Sequence, residues 1–130
     1  MGPEKKLWRE LKKATPTIKW TRIENTGALG TPDLLGYNDN NKFFTVELKV
    51  TKGNAIKFSP HQIAFHVTHP HNTFILVKSL KETTYKTFSG ARILTLAACG
   101  FKLETRCLGL AACNLMLVAC GLRLWVHYQT

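Results

Sequence analysis

Acidic side chains are scarce in this chain. Eight Asp and Glu face eighteen Lys and Arg across 130 residues, a formal net charge of +10. Cysteine is missing from the first 98 residues, and Cys99, Cys107, Cys113 and Cys120 form no C-x-x-C pair, which argues against a zinc ribbon. The opening Met1-Gly2-Pro3-Glu4-Lys5-Lys6 is followed by no apolar run, so no secretory signal is expected. Lys6 stands where a myristoylation signal needs Ser or Thr. An apolar stretch without charge, Cys107 to Leu122, has sixteen residues, short of a bilayer span, and Arg123 follows at once. A reducing cytoplasm is the expected setting, with free thiols acting as small hydrophobes and no membrane partner.

What is present is one domain's worth of chain with ordinary apolar content. Eleven of the eighteen cations precede residue 58. A cationic surface of this kind favours polyanions, and nucleic acid is the commonest of them.

Leu7, Trp8, Leu11 and Ala14 recur at helical spacing, which predicts an amphipathic helix from Glu4 to about Ala14. Pro3 and Glu4 suit its first turn, and Pro16 ends it. Glu4 falls on the apolar stripe, and Glu10 on its flank. Residues 17–24 alternate as a first strand, and 25–31 make a connection. Asp33 to Tyr37 reads as a second strand, Asn38-Asp39-Asn40-Asn41 as a turn, and Lys42 to Val50 as a third strand paired with the second in a hairpin. After a loop at Lys52-Gly53-Asn54, Ser59 and Pro60 mark a helix start. That helix runs through Val67 and stops before Pro70. Thr73 to Lys78 reads as a buried strand, Thr83 to Phe88 as an edge strand, and Gly90 to Cys99 as a helix closed by Gly100. Leu96-Ala-Ala-Cys-Gly, Leu110-Ala-Ala-Cys-Asn and Leu117-Val-Ala-Cys-Gly recur at spacings of fourteen and seven, which suggests a buried helix or a self-association surface. The order helix, three strands, helix, strand implies an α/β sandwich around a mixed sheet.

Asp33 precedes Glu47 by fourteen residues, and Lys49 follows Glu47 by two. Two carboxylates on neighbouring strands can seat a hard divalent cation, with the main-chain carbonyl of Leu48 as a third oxygen and waters filling the rest. Side chains two apart on a strand share a face, so Lys49 can orient a water and offset charge on a phosphate. Such equipment suits hydrolysis of a phosphodiester. An E-x-K pair is weak by itself. The preceding Pro32-Asp33, the apolar flanks Phe43-Phe44-Thr45-Val46 and Val50, and the following Ser59-Pro60-x-Gln62 strengthen it. An ion pair of Lys49 with Glu47 or Asp33, purely structural, is the plain alternative.

Thr31-Pro32-Asp33-Leu34-Leu35 with Glu47-Leu48-Lys49-Val50-Thr51-Lys52 resembles the PD-(D/E)XK nuclease superfamily. It is most similar to archaeal-type Holliday junction resolvases, and also to the VRR-NUC and phage-encoded branches, over roughly Glu4 to Lys78. The resemblance implies a restriction-endonuclease-like core, α-β-β-β-α-β, occupying residues 1–90, with 91–130 as an apolar helical extension of the same domain or a dimer interface. It also implies Mg2+, with Mn2+ as a substitute, and cleavage of DNA leaving a 5′-phosphate. In such enzymes an acid on the first helix often completes the site. Glu4 is the first choice for its face, and Glu10 the alternate for its sequence distance to Asp33. Gln62 is similar to a glutamine that some branches carry near the metal.

Lys5, Arg22, Lys52, Lys57 and His61 are candidate phosphate contacts. No segment has the character of a base-reading helix, which favours recognition of DNA shape. His61, His66, His69 and His71 cluster, but no cysteine or acid lies near them, so zinc is not expected; His66 is expected to pack against the sheet. The expectation is thus a Mg2+-dependent endodeoxyribonuclease on branched DNA, resolving junctions as a homodimer because two strands must be cut symmetrically. A phage or mobile-element origin would place it in a host cytoplasm. A flap, single-strand or restriction-like endonuclease, a non-cleaving DNA-binding module, and a membrane-associated protein are the alternatives.

Overall fold

The computed structural model describes residues 2–23, 29–53, 55–81 and 84–99. Helix α1 (Pro3–Ala14) is followed by strands β1 (Lys19–Arg22), β2 (Leu34–Tyr37) and β3 (Phe43–Thr51), helix α2 (Pro60–Thr68), and strands β4 (Thr73–Ser79) and β5 (Thr84–Ser89). A 3-10 turn (Gly90–Arg92) then leads into helix α3 (Ile93–Cys99). The strands lie in the order β1-β2-β3-β4-β5. All neighbours are antiparallel except β3 and β4, which run parallel, with α2 in the crossover between them. This is the mixed α/β sheet that the element order implied, with β5 added.

The two sheet faces carry separate cores. On one face α1 presses Leu7 and Leu11 onto Leu34, Phe44, Val46, Leu48, Phe74 and Leu76. Trp20 meets Phe44 edge to face at 5.5 Å, and its indole N–H donates to Thr15 Oγ1 at 2.8 Å, closing the corner after α1. On the other face Ile75, Val77 and Phe88 are covered by Ile93 and Leu96, with Phe58 and Ile63 alongside. Residues 93–99 therefore pack as part of this layer. The rest of the 91–130 extension, with its two later repeats and the Gly100 cap, lies outside the described residues, as do residues 24–28 of the first connection, Asn54, Glu82 and Thr83.

The first strand is shorter than its alternating pattern suggested, because β2 offers only four partners, Leu34 to Tyr37. Register is held by Gly36. A Cβ there would come within 2.4 Å of the Phe44 ring, so only glycine lets the cross-strand aromatic lie flat against the backbone. β4 is buried almost throughout, as its apolar run required. Among the described residues no helix is long and apolar enough to cross a membrane.

Candidate active site

β2 and β3 bring the two carboxylates together. Asp33 immediately precedes β2, and its Oδ2 accepts from the Leu48 backbone N–H at 2.8 Å. Glu47 is only 3 % exposed, and it sits close enough to Asp33 for that residue's charge to raise its pKa. Its two oxygens are treated differently. Oε1 accepts from Gln62 Nε2 at 2.7 Å, whereas Oε2 is buried without a hydrogen-bond partner. Burial, then the Asp33 charge, pushes the Glu47 carboxyl up to about 8. Burial raises Asp33 as well, against the opposing pull of the Leu48 N–H, Lys49 and Arg22.

Gln62 is fixed by the start of α2. Ser59 Oγ accepts from the Gln62 N–H at 3.2 Å, and Gln62 Oε1 accepts from the Ser59 N–H at 3.0 Å, forming a capping box. The same Oε1 accepts from Lys49 Nζ at 3.0 Å. One amide thus closes a helix end, holds Glu47 and holds Lys49. The Lys49 ammonium also lies 5.2 Å from the centre of the Phe58 ring. Phe58 was not recognised as a site residue from sequence. The available signal was its place one residue before the N-cap, with Ile63 at the fourth helical position: the two ends of a hydrophobic staple.

Glu4 and Glu10 separate clearly. Glu4 faces the site, and partial burial followed by the Asp33 charge raises its pKa. It is not buried on the stripe as the wheel implied; as a residue it is exposed, because it lies in the first turn of α1, beyond the edge of the core. Glu10 is committed elsewhere. It accepts from Lys78 Nζ at 2.9 Å and from the Tyr85 hydroxyl, which tie α1 to β4 and β5.

The cations flank the carboxylates on two sides. Lys5 and Arg22 line a cavity of roughly 440 Å³ with Glu4, Asp33 and Leu48. Lys52 and Lys57 line a second hollow with Glu4 and Lys49. His61 is exposed at the first turn of α2, where Gly30, at φ +82°, packs against its carbonyl. His66 is fully buried and donates from Nδ1 to the Gln62 carbonyl at 2.9 Å; burial lowers its pKa, so it is a packing group. Among the described residues no three His, Cys, Asp or Glu side chains converge as a metal cluster. The carboxylate pair nonetheless fits a magnesium-like ion, which takes one or two carboxylates and keeps its waters, and Glu47 Oε2 is a buried oxygen without a hydrogen-bond partner in the protein.

A mixed sheet between helices, with Asp33 entering the second strand and Glu47-x-Lys49 on the third, defines the restriction-endonuclease-like fold, in line with the resemblance read from those residues. No family model and no curated protein matches the sequence. Among solved structures the fold is similar to Hjc, a Holliday junction resolvase from the archaeal hyperthermophile Archaeoglobus fulgidus. The likeness has 17% sequence identity and a TM-score of 0.52, and it covers 79% of this chain and 81% of that one.

Proposed function

We propose that this chain is a divalent-metal-dependent DNA endonuclease acting on branched or structured DNA, with junction resolution as its first role. One observation carries the reading. Glu47 is buried beside Asp33 with one oxygen held by Gln62 and the other left bare, while Lys49 is held on the same sheet face. Burying a carboxylate in this way is costly unless a cation shares it.

Asp33 and Glu47 would hold the ion, Mg2+ or Mn2+, with the Leu48 carbonyl as a further oxygen; when bound it supplies an acidified water and polarises the phosphate. The remaining steps belong to side chains. Gln62 orients Glu47. The Lys49 ammonium, with one N–H given to Gln62, keeps others for the attacking water and a phosphate oxygen. Glu4 adds a carboxylate at the mouth of the site. Lys5 and Arg22 on one side, and Lys52, Lys57 and His61 on the other, neutralise backbone phosphates without reading bases. Cutting two strands of a junction symmetrically calls for two such sites, hence a two-fold dimer.

The test is a panel of labelled junction, flap, duplex and single-stranded DNA with Mg2+, with Mn2+ and with chelator. Metal-dependent cutting of the junction supports the reading, and preference for flap or single strand reassigns the substrate. Asp33→Asn should bind DNA and fail to cut, because Asn Oδ1 can still accept the Leu48 N–H. A wild-type protein inert with both ions but tight on DNA would make the chain a binding module.

A further inference from the structure

Among the described residues, the sheet carries an open patch at the end away from the carboxylates. Lys19, Tyr37 and Phe43 are direct cross-strand neighbours on β1, β2 and β3. Cross-strand partners share a face, and Phe43 alternates with Phe44, which is buried under α1. The row therefore lies on the face that also bears Glu47 and Lys49. Both helices of that face pack over β4 and β5, at Ile75, Val77 and Phe88, and leave this corner uncovered.

Phe43 is 60% exposed, with its ring centre 4.6 Å from that of half-buried Tyr37. The Tyr37 hydroxyl donates to Asn41 Oδ1, which steadies the pair against the turn. Exposed Lys19 lies beside Tyr37, and exposed Lys42 precedes Phe43. Rigid aromatic faces bordered by ammonium groups suit unpaired nucleotides, whose bases stack while phosphates meet cations.

We propose that Phe43 and Tyr37 form a stacking platform for unpaired nucleotides of the DNA strand that enters the site, with Lys19 holding its phosphates. Phe43 lies four positions before Glu47 on β3, about 13 Å, or about four nucleotides of stacked strand. A second copy of this chain suits the patch less well. A two-fold contact would bring two copies of the Lys19-bearing patch together, in a chain of formal net charge +10. The proposal rests on the nuclease reading for its substrate, but its test does not need cleavage.

Binding is measured by fluorescence anisotropy in chelator, with a short oligothymidylate and with a blunt duplex. Phe43→Ala should weaken oligothymidylate binding about tenfold and leave the duplex unchanged. Phe43→Trp should restore it, with indole emission quenched as the strand binds. Unchanged oligothymidylate affinity in Phe43→Ala, equal losses on both probes, or a changed oligomeric state by sedimentation would each overturn the proposal. If Phe43 controls single-strand binding while the wild type cuts nothing, the nuclease reading fails alone. If the wild type cuts and Phe43→Ala binds normally, the platform fails alone.

Discussion

Gln62 Nε2 stands 2.7 Å from Glu47 Oε1, and the other end of that amide accepts from both Lys49 and the backbone N–H of the N-cap Ser59. A single side chain therefore sets the buried Glu47 carboxyl, the ammonium beside it and the start of α2. The same amide cannot be replaced by a group that only donates or only accepts.

Gln62→Glu tests this. It keeps an acceptor for Ser59 and Lys49 but sets a carboxylate against Glu47. Cleavage should fall by roughly ten- to a hundredfold, about 1–3 kcal/mol, with helical content retained by circular dichroism. Gln62→Ala should lose similar activity and also melt earlier, because the capping box is gone.

Phe58 should matter through Lys49. Phe58→Leu keeps an apolar side chain in the second core but removes the ring from beneath the ammonium. The expected loss in kcat is a few-fold to about thirtyfold, matching roughly 0.5–2 kcal/mol for such a contact. DNA affinity should not change, and Phe58→Tyr should restore the rate. Equal losses in both variants would show that the ring only fills space.

Metal-free stability should fall as pH rises. The Glu47 carboxyl titrates near 8 in the folded chain against 4.5 for an ordinary Glu, so the folded state holds its proton more tightly. The stabilisation is complete below 4.5 and is lost as pH climbs through about 8. Thermal melts in chelator should show the midpoint declining across that window, and Glu47→Gln should flatten the slope. Mg2+ should raise the midpoint most at alkaline pH, because binding must displace the Glu47 proton.

Glu4 and Glu10 should part company in activity. Glu4→Gln is expected to lower cleavage while leaving the melting temperature nearly unchanged, as the residue is exposed. Glu10→Gln should cut normally but lose roughly 2–5 °C, because it loosens the tie to Lys78 and Tyr85. Those hydrogen bonds hold the Glu10 carboxyl below its usual range even though burial opposes them, so its contribution is present above 4.5 and fades as pH falls further. The Glu10→Gln deficit, followed by thermal melts, should therefore shrink under acid.

Much of this was legible because it is local. Period-two alternation with β-branched and aromatic residues marked β3, Ser59-Pro60 marked the start of α2, and an apolar run marked β4. The facing of Glu47 and Lys49 follows from strand geometry alone. The assignment between Glu4 and Glu10 was open, since a helical wheel orders residues around an axis but not along it. Glu4 lies toward the apolar stripe and yet remains exposed, because it is in the first turn, past the edge of the core. The role of Phe58 was hidden for a related reason: its ring meets an ammonium nine residues back, a contact that only the crossover through α2 creates.

The chain by itself determined the elements, the pairing of β2 with β3 and the shared face of Glu47 and Lys49, since helix periodicity, strand alternation and turn chemistry act over a few residues. Which oxygen of Glu47 is tied and which is bare, which acid of α1 turns toward the site, and which corner of the sheet stays open were decided only by tertiary structure. Those outcomes depend on how α1 and α2 are docked across the two faces, and docking is a balance of burial and hydrogen bonding between segments far apart in sequence.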